Sequence, residues 1–361
     1  MRAKVADPRR RVLLHDVAAA AHVAESTASR ALADDPRISV ATRELVKAAA
    51  AELEYVPNVA ARSLRMRQTS TLGLLIPNLD DPIHGQIAAG FEEEASRAGY
   101  CVIMVAGEDA PSRERLALKV FAEHGADAVA IVSSAISPRE GRERVDPARL
   151  VLVQPDHRTL SRRHGPVTPG VILTDDASGV RAAVEHLLAC GYRRIAYVEG
   201  EGGASNALRE ATVAATVRSH GDGATTRTFH AADDAWRAPA ALAAEIAADP
   251  PVALGCYDDK LALALMDALR TLGIQVPGDV AMVGFDGIPF TSISNPRLTT
   301  VVTPAGDMGR LAAASLIRAI REGTPPEGHV LAPELIVRES TRGRPGAGPS
   351  LAVASPSGTT G

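Results

Sequence analysis

Glu25, Ser26, Thr27, Ser29 and Arg30 gather a carboxylate, three hydroxyls and a guanidinium into six positions, while Ala28, Ala31 and Leu32 recur among them at helical spacing. A helix over Ala24 to Leu32 would turn its small apolar side inward and its hydrogen-bonding side outward. Those outward groups are the ones that read base edges. Arginine donates in pairs to guanine, glutamate accepts from the cytosine amine, and serine or threonine can do either. A helix so decorated fits the major groove of DNA.

Such a helix needs neighbours to bury its alanine side. Leu14 to Ala21 supplies a first one, since alanine costs little in a helix and Val17 and Ala21 share a face. His22-Val23 breaks it, and histidine tolerates a left-handed turn better than a branched residue does. A third helix is expected over Ser39 to Glu54, with Ser39 and Thr42 as caps and Leu45, Val46, Ala49 and Leu53 as an apolar stripe.

Beyond Gln68 short apolar strands alternate with amphipathic helices. Strands are expected at Leu72 to Pro77, Tyr100 to Ala106, Ala128 to Ser133, Leu150 to Gln154, Val171 to Thr174, Arg194 to Glu199, Thr226 to His230, Val252 to Cys256, Val280 to Phe285 and Leu298 to Thr303. Helices fit between them at Ile87 to Ala98, Ser178 to Gly191 and Lys260 to Gly273. This alternation implies parallel sheets with right-handed crossovers, and ten strands are better divided between two subdomains than spread over one sheet.

Composition narrows the class. A chain of 361 residues with 46% hydrophobic and 23% charged side chains has the balance of a soluble globular protein with more than one compact unit. Residues 1–68 hold 12 Lys+Arg against 8 Asp+Glu, a balance of +4; the remainder holds 27 against 35, or −8. The basic part is thus the part that would meet phosphate, through Arg9, Arg10, Arg11, Arg30, Arg43, Lys47, Arg62, Arg65 and Arg67, although a solvated charged face is the alternative for any one of them.

Cys101, Cys190 and Cys256 are too scattered for a metal knuckle and too few and odd for a disulfide framework, so a reduced cytoplasmic protein without metal or cofactor is expected. No apolar run of about 18 residues suggests export or membrane spanning. An enzyme on a doubly wound sheet would show a phosphate-binding glycine loop, a nucleophile elbow or a metal cluster. The glycines from Gly200 to Gly203 lack the required spacing, and the other two motifs are missing.

Asp16-Val17-Ala18, Val23, Thr27, Ser29-Arg30, Thr42-Arg43 and the run Glu52-Leu53-x-Tyr55-x-Pro57-Asn58-x-x-Ala61-Arg62-Ser63-Leu64 resemble the lactose-repressor/galactose-repressor family. The resemblance implies that His15, Ala24, Glu25, Ser26, Thr27, Ser29 and Arg30 face DNA, with Glu25 and Ser26 reading bases and Arg30 a third base reader. A role for Glu25 at the positive end of the helix dipole is the alternative. It also implies a hinge helix from Pro57 to Leu64. Asn58, Ala61 and Arg65 would contact DNA there, and paired Leu64 side chains would wedge into the operator's central step. So short a helix should be disordered off DNA. Two positions depart from the family: His22 replaces a turn glycine, and Ala24 replaces a capping serine.

For the larger domain the resemblance implies a periplasmic-binding-protein-like (type I) clamshell of two subdomains. The chain would cross between them near Thr174, Thr303 and His329. Effector would lie between the lobes, beyond the carboxyl ends of the strands. Arg209 and Asp286 stand at the family's effector-binding arginine and aspartate, and Asp258 at an asparagine that contacts sugar. A guanidinium and a carboxylate on opposite lips suit a polyol, whereas an Arg–Asp bridge that only holds the lobe together is the alternative. Asp259 would cap the following helix. The usual aromatic pair and aspartate of such clefts are replaced by Ile83-His84 and Gln154, and His230 aligns loosely with a stacking aromatic.

The expected organisation is a leader at 1–12, a helix-turn-helix domain at 13–56, a hinge at 57–68, a sensor and dimerisation domain at 69–340 and a disordered tail at 341–361. The sensor's first subdomain would take 69–173 and 304–328, its second 174–303 and 329–340. The expected function is a transcriptional repressor on a near-palindromic operator, working as a homodimer and modulated by a sugar-like effector. An activator or dual regulator is the alternative within regulation, a stand-alone sugar-binding protein the alternative outside it. No leucine heptad follows His329, which favours a dimer over a tetramer.

Overall fold

In the computed structural model, which describes residues 12–55, 68–108, 110–132, 136–154, 168–200, 204–231, 235–250 and 252–343, the chain forms two compact units divided after Ser70. The first holds three helices, Leu14–Ala20 (α1), Glu25–Leu32 (α2) and Val40–Glu52 (α3). Its core is small and alanine-rich: Val17, Ala18, Ala21, Ala28, Ala31, Val46, Ala49 and Ala50 are buried, with Leu32, Leu53 and Tyr55 against them. Small side chains let helices this short approach closely enough to share one core.

Local chemistry sets the helix ends. Asp16 accepts from the Leu13 amide at 2.9 Å and closes the first turn of α1. His22 takes the left-handed turn, with φ 51°, and Ser39 caps α3 by accepting from the Thr42 amide at 3.2 Å. Ala24 starts α2 without a side-chain cap. Leu45 departs from its expected place in the stripe: it is 53% exposed, because the buried face of α3 is carried by Val46, Ala49 and Ala50 one position around.

The second unit contains two six-stranded sheets with the same relative order in their five inner and first-edge strands, differing in the direction of the sixth. The first has the order β11-β5-β4-β3-β1-β2, built from Thr71–Ile76 (β1), Cys101–Ala106 (β2), Ala128–Val132 (β3), Leu150–Val153 (β4), Val171–Thr174 (β5) and His329–Leu331 (β11). The second has the order β12-β10-β9-β8-β6-β7, built from Arg194–Glu199 (β6), Thr225–His230 (β7), Ala253–Cys256 (β8), Ala281–Asp286 (β9), Thr299–Val302 (β10) and Glu334–Ile336 (β12). All described pairings are parallel except β12 on β10. The central strands β1, β3 and β4 are buried almost throughout, as strands covered by helices on both faces must be, while edge strands β2 and β7 are largely open.

Helices Pro82–Arg97 (α4), Pro111–Glu123 (α5) and Pro138–Arg144 (α6) connect strands of the first sheet. Asp176–Ala189 (α7), Ala204–His220 (α8), Ala240–Ala248 (α9) and Asp259–Thr271 (α10) belong with the second. Ala305–Glu322 (α11) returns to the first and packs on α4 at backbone contact. A Cβ on Gly90 would lie 2.0 Å from the Gly306 oxygen, and one on Gly309 2.0 Å from the Ile87 oxygen.

The chain passes between the sheets after β5, after β10 and between Leu331 and Glu334. The last passage corrects the expected one near His329, since His329 to Leu331 continues the first sheet alongside Ile172 to Thr174. The expected tail also begins too early. Thr341 is 1% exposed and bonds the Thr299 hydroxyl at 2.9 Å, and Tyr192 donates to the Gly343 oxygen.

Candidate functional site: a polar helix face and a charged cleft

On α2 the side chains divide as the spacing predicts. Ala28 and Ala31 are fully buried, whereas Ala24, Glu25, Ser26 and Arg30 are exposed and Thr27 and Ser29 half-exposed. Glu25 lies in the first turn and Arg30 in the last, so each also suits the helix dipole. His15 is exposed on α1 and its Nε2 lies 2.9 Å from Asp16. Two of the expected phosphate-binding cations have partners in this unit: Lys47 pairs with Asp34 at 2.6 Å, and Arg43 donates to the Asp35 oxygen at 3.2 Å. Asn58, Ala61, Arg62, Leu64, Arg65 and Arg67 lie outside the described residues, as do Arg9, Arg10 and Arg11.

The second unit contains a cavity of about 430 Å³ at the carboxyl ends of both sheets. In a strand order such as β2-β1-β3 the connections leave β1 and β3 in opposite directions, which opens a crevice at that point. The loop after β1 supplies Asp80 and Asp81, the first turn of α4 supplies His84, and the segments after β6 and β8 supply Gly200, Tyr257 and Asp258. Gln154 follows β4, Asp286 ends β9 and Thr303 follows β10. Of the six expected effector residues the cavity thus brings together five.

His230 is the exception and is corrected. It ends edge strand β7 in register with Glu199, its ring pairs with that carboxylate, and its side chain is 75% exposed. The aromatic wall comes instead from Trp236, the only tryptophan in the chain. Arg237 lies over its ring at 4.4 Å and Lys260 at 5.3 Å.

Arg209 is the anchor of the cleft floor. It is 6% exposed, its Nε and Nη2 donate to one oxygen of Asp176 at 3.0 and 2.9 Å, and its Nη1 donates to the Tyr257 carbonyl. Its Cζ lies 3.6 Å from the centre of the Phe285 ring. Burial works against its charge, but Asp176 and its other neighbours outweigh that and hold the guanidinium above its ordinary range. Asp176 in turn accepts from the Thr174 hydroxyl, which itself accepts from the Gln154 amide at 2.6 Å. A continuous polar chain thus runs from the end of β4, through the first passage between the sheets, to α8.

The carboxylate gripped by Arg209 is therefore Asp176, not Asp286. Arg209 and Asp286 also rise from the same lobe, which corrects their expected placement on opposite lips. Asp286 has φ 103°, a left-handed backbone that a non-glycine residue adopts only under constraint. Burial pushes its carboxyl well above the usual range, against the pull of Arg209.

The tandem Asp258-Asp259 also differs from expectation. Asp258 caps α10, accepting from the Leu261 amide at 2.7 Å, and burial raises its pKa. Asp259 is fully buried, accepting from Thr300 at 2.6 Å and the Ile288 amide at 2.9 Å, and burial pushes it to about 7.

Two ion pairs cross the mouth of the cleft. Lys260 meets Asp81 at 2.6 Å, and Arg237 meets Asp80 at 3.1 Å. His84 faces the cavity, 8% exposed, with Nδ1 3.4 Å from Asn78 Oδ1. Sequence reasoning missed Asp176, Trp236 and Lys260. The tandem Asp175-Asp176 after an apolar strand and the solitary tryptophan were the available signals.

Both units have relatives among known proteins. Residues 13–58 match the model for bacterial regulatory proteins of the lacI family, and residues 184–341 that for a periplasmic binding protein-like domain. Among solved structures, a lac repressor dimer bound to operator and an anti-inducer superposes with TM-score 0.80 at 23% identity, covering 92% of this chain and 99% of that one. A complex of the transcriptional regulator CelR with cellobiose gives TM-score 0.64 at 27% identity, covering 91% of this chain and all of the other.

The regulator MalR of Streptomyces coelicolor is 32% identical over 92% of this chain and 97% of its own length. The regulator GalR of Salmonella typhimurium is 30% identical over 91% of this chain and 95% of its own. These relatives are transcriptional regulators rather than enzymes, and the chain belongs to the lacI family of bacterial regulatory proteins.

Proposed function

We propose that the protein is a transcriptional repressor that grips a near-palindromic operator as a homodimer and changes its grip when a sugar-like molecule enters the cleft. The observation that carries this reading is the presence in one chain of an exposed Glu25-Ser26-Arg30 helix face and a polar cleft. His15, Ala24, Thr27 and Ser29 complete the DNA-facing set. Arg209, Asp258, Asp286, Gln154 and His84 form the effector set, with Trp236 added as the stacking wall. By family resemblance, residues 57–68 act as the hinge, with Asn58, Ala61, Leu64 and Arg65 at the minor groove, and the protein works in the bacterial cytoplasm.

Support for the partners comes from relatives. The lac repressor was solved as an operator-bound dimer, CelR with cellobiose, and another family member with ribose. Selecting the protein against random duplex DNA tests the reading. The expected result is a near-palindrome in which Glu25→Gln relaxes the preference at one position of each half-site. No enrichment at low salt would overturn it and favour a stand-alone ligand-binding protein.

A further inference from the structure

Each cation that lines the cleft already has a carboxylate partner. Arg209 is taken by Asp176 at 2.9 Å, Lys260 by Asp81 at 2.6 Å and Arg237 by Asp80 at 3.1 Å. Asp258 lies 3.9 Å from the same Lys260, and Asp286 makes no ion pair among the described residues. The cavity therefore carries more carboxylates than cations.

Helix N-termini are the other usual anion seats, because their unpaired amides point outward. Here two of those facing the cleft are plugged by carboxylates. Asp81 accepts from the Ile83 amide at 3.1 Å at the start of α4, and Asp258 from the Leu261 amide at 2.7 Å at the start of α10. An ionised Asp286 would repel an anion; a protonated one would offer a single O–H, against the several donors a phosphate requires.

Asp258 and Asp286 line the cavity, and both can accept from the hydroxyls of an uncharged ligand.

We infer that the cleft selects its ligand by charge, taking an uncharged polyhydroxyl compound and rejecting its phosphorylated or carboxylated counterpart, with Asp258 as a residue that enforces the rejection. This rests on the cleft being the effector site. Placing like charges together in a desolvated site costs enough to separate the two classes by about a hundredfold or more.

The test titrates the full chain with matched sets: glucose, glucose 6-phosphate and glucuronate; galactose, galactose 6-phosphate and galacturonate; ribose and ribose 5-phosphate. The fluorescence of Trp236, the only tryptophan, reports occupancy, and a shift in thermal midpoint checks it. At least one neutral member should bind, with its anionic counterparts weaker by about a hundredfold or more.

Asp258→Asn should narrow that gap by about tenfold. Asparagine caps a helix as well as aspartate does, so the variant keeps its fold. An anionic member binding as tightly as its neutral partner would overturn the charge selection while leaving the cleft a sensor. An unchanged gap in Asp258→Asn would remove that residue's role. Binding by no member of either charge would overturn the sensor reading and this inference together.

Discussion

Arg30 stands exposed at the end of a helix whose other face is alanine, whereas Arg209 is 6% exposed and clamped by Asp176 at 2.9 Å. The same side chain does different work in the two places. On α2 the guanidinium is kept in water, ready to exchange solvent and counterions for a charged partner, and little of the fold depends on it. In the cleft it is part of the fold, held by Asp176, Tyr257 and Phe285, so a ligand can address it only by working against a built network. An exposed charge thus favours a salt-sensitive grip, and a buried one favours selectivity.

The sharpest way to break this contrast is to delete both arginines. Arg209→Ala leaves Asp176 buried without its cation, so denaturant unfolding should show a loss of about 3–5 kcal/mol, and any response to effector should disappear. Arg30→Ala should change stability by no more than about 0.5 kcal/mol. It should nevertheless weaken operator binding by about 1–3 kcal/mol, measured by equilibrium titration at fixed salt. Equal stability losses in the two variants would erase the distinction.

Asp259 sharpens the contrast through pH. Its carboxyl sits at about 7 in the folded protein, against about 4 in an unfolded chain, so the folded state holds a proton that the unfolded state has released. The stability this contributes is present below pH 4 and is lost as pH rises to 7, at up to about 1.4 kcal/mol per pH unit. Asp259→Asn should flatten that slope in unfolding midpoints taken between pH 5 and 8.

The smallest effect belongs to the helix ends of the first unit. Ser39→Ala removes the cap of α3 and should cost about 1 kcal/mol. Ala24→Ser should recover a similar amount by giving α2 the cap it lacks. Thermal unfolding of the two variants reads both signs.

The same division explains what the sequence makes legible. α1, α2 and α3 are visible because their determinants are local: alanine spacing, a histidine at the turn, a serine cap. Of β1 to β10, all but the polar edge strand β7 are visible chiefly as apolar runs between turn residues. β11 and β12, three residues each, carry too little pattern to be seen, and the misplaced third passage between the sheets follows from that.

In the cleft, Arg209, Asp258 and Asp286 are found through family resemblance. The pairing of Arg209 with Asp176 spans 33 residues and that of Lys260 with Asp81 spans 179, and no local rule reports such contacts. His230 and Trp236 show the converse. Alignment favours the residue at the strand end, but an edge strand turns His230 toward Glu199 and leaves the wall to a loop residue.

The central claim is that occupancy of the cleft changes the grip on DNA. Its most direct test is operator affinity with and without the neutral sugar that perturbs Trp236 fluorescence, in wild type and in Asp286→Asn. The account predicts a change in operator affinity for wild type, and for Asp286→Asn an unchanged affinity without sugar and no response to it. A wild-type affinity indifferent to a sugar that demonstrably fills the cleft would contradict the account.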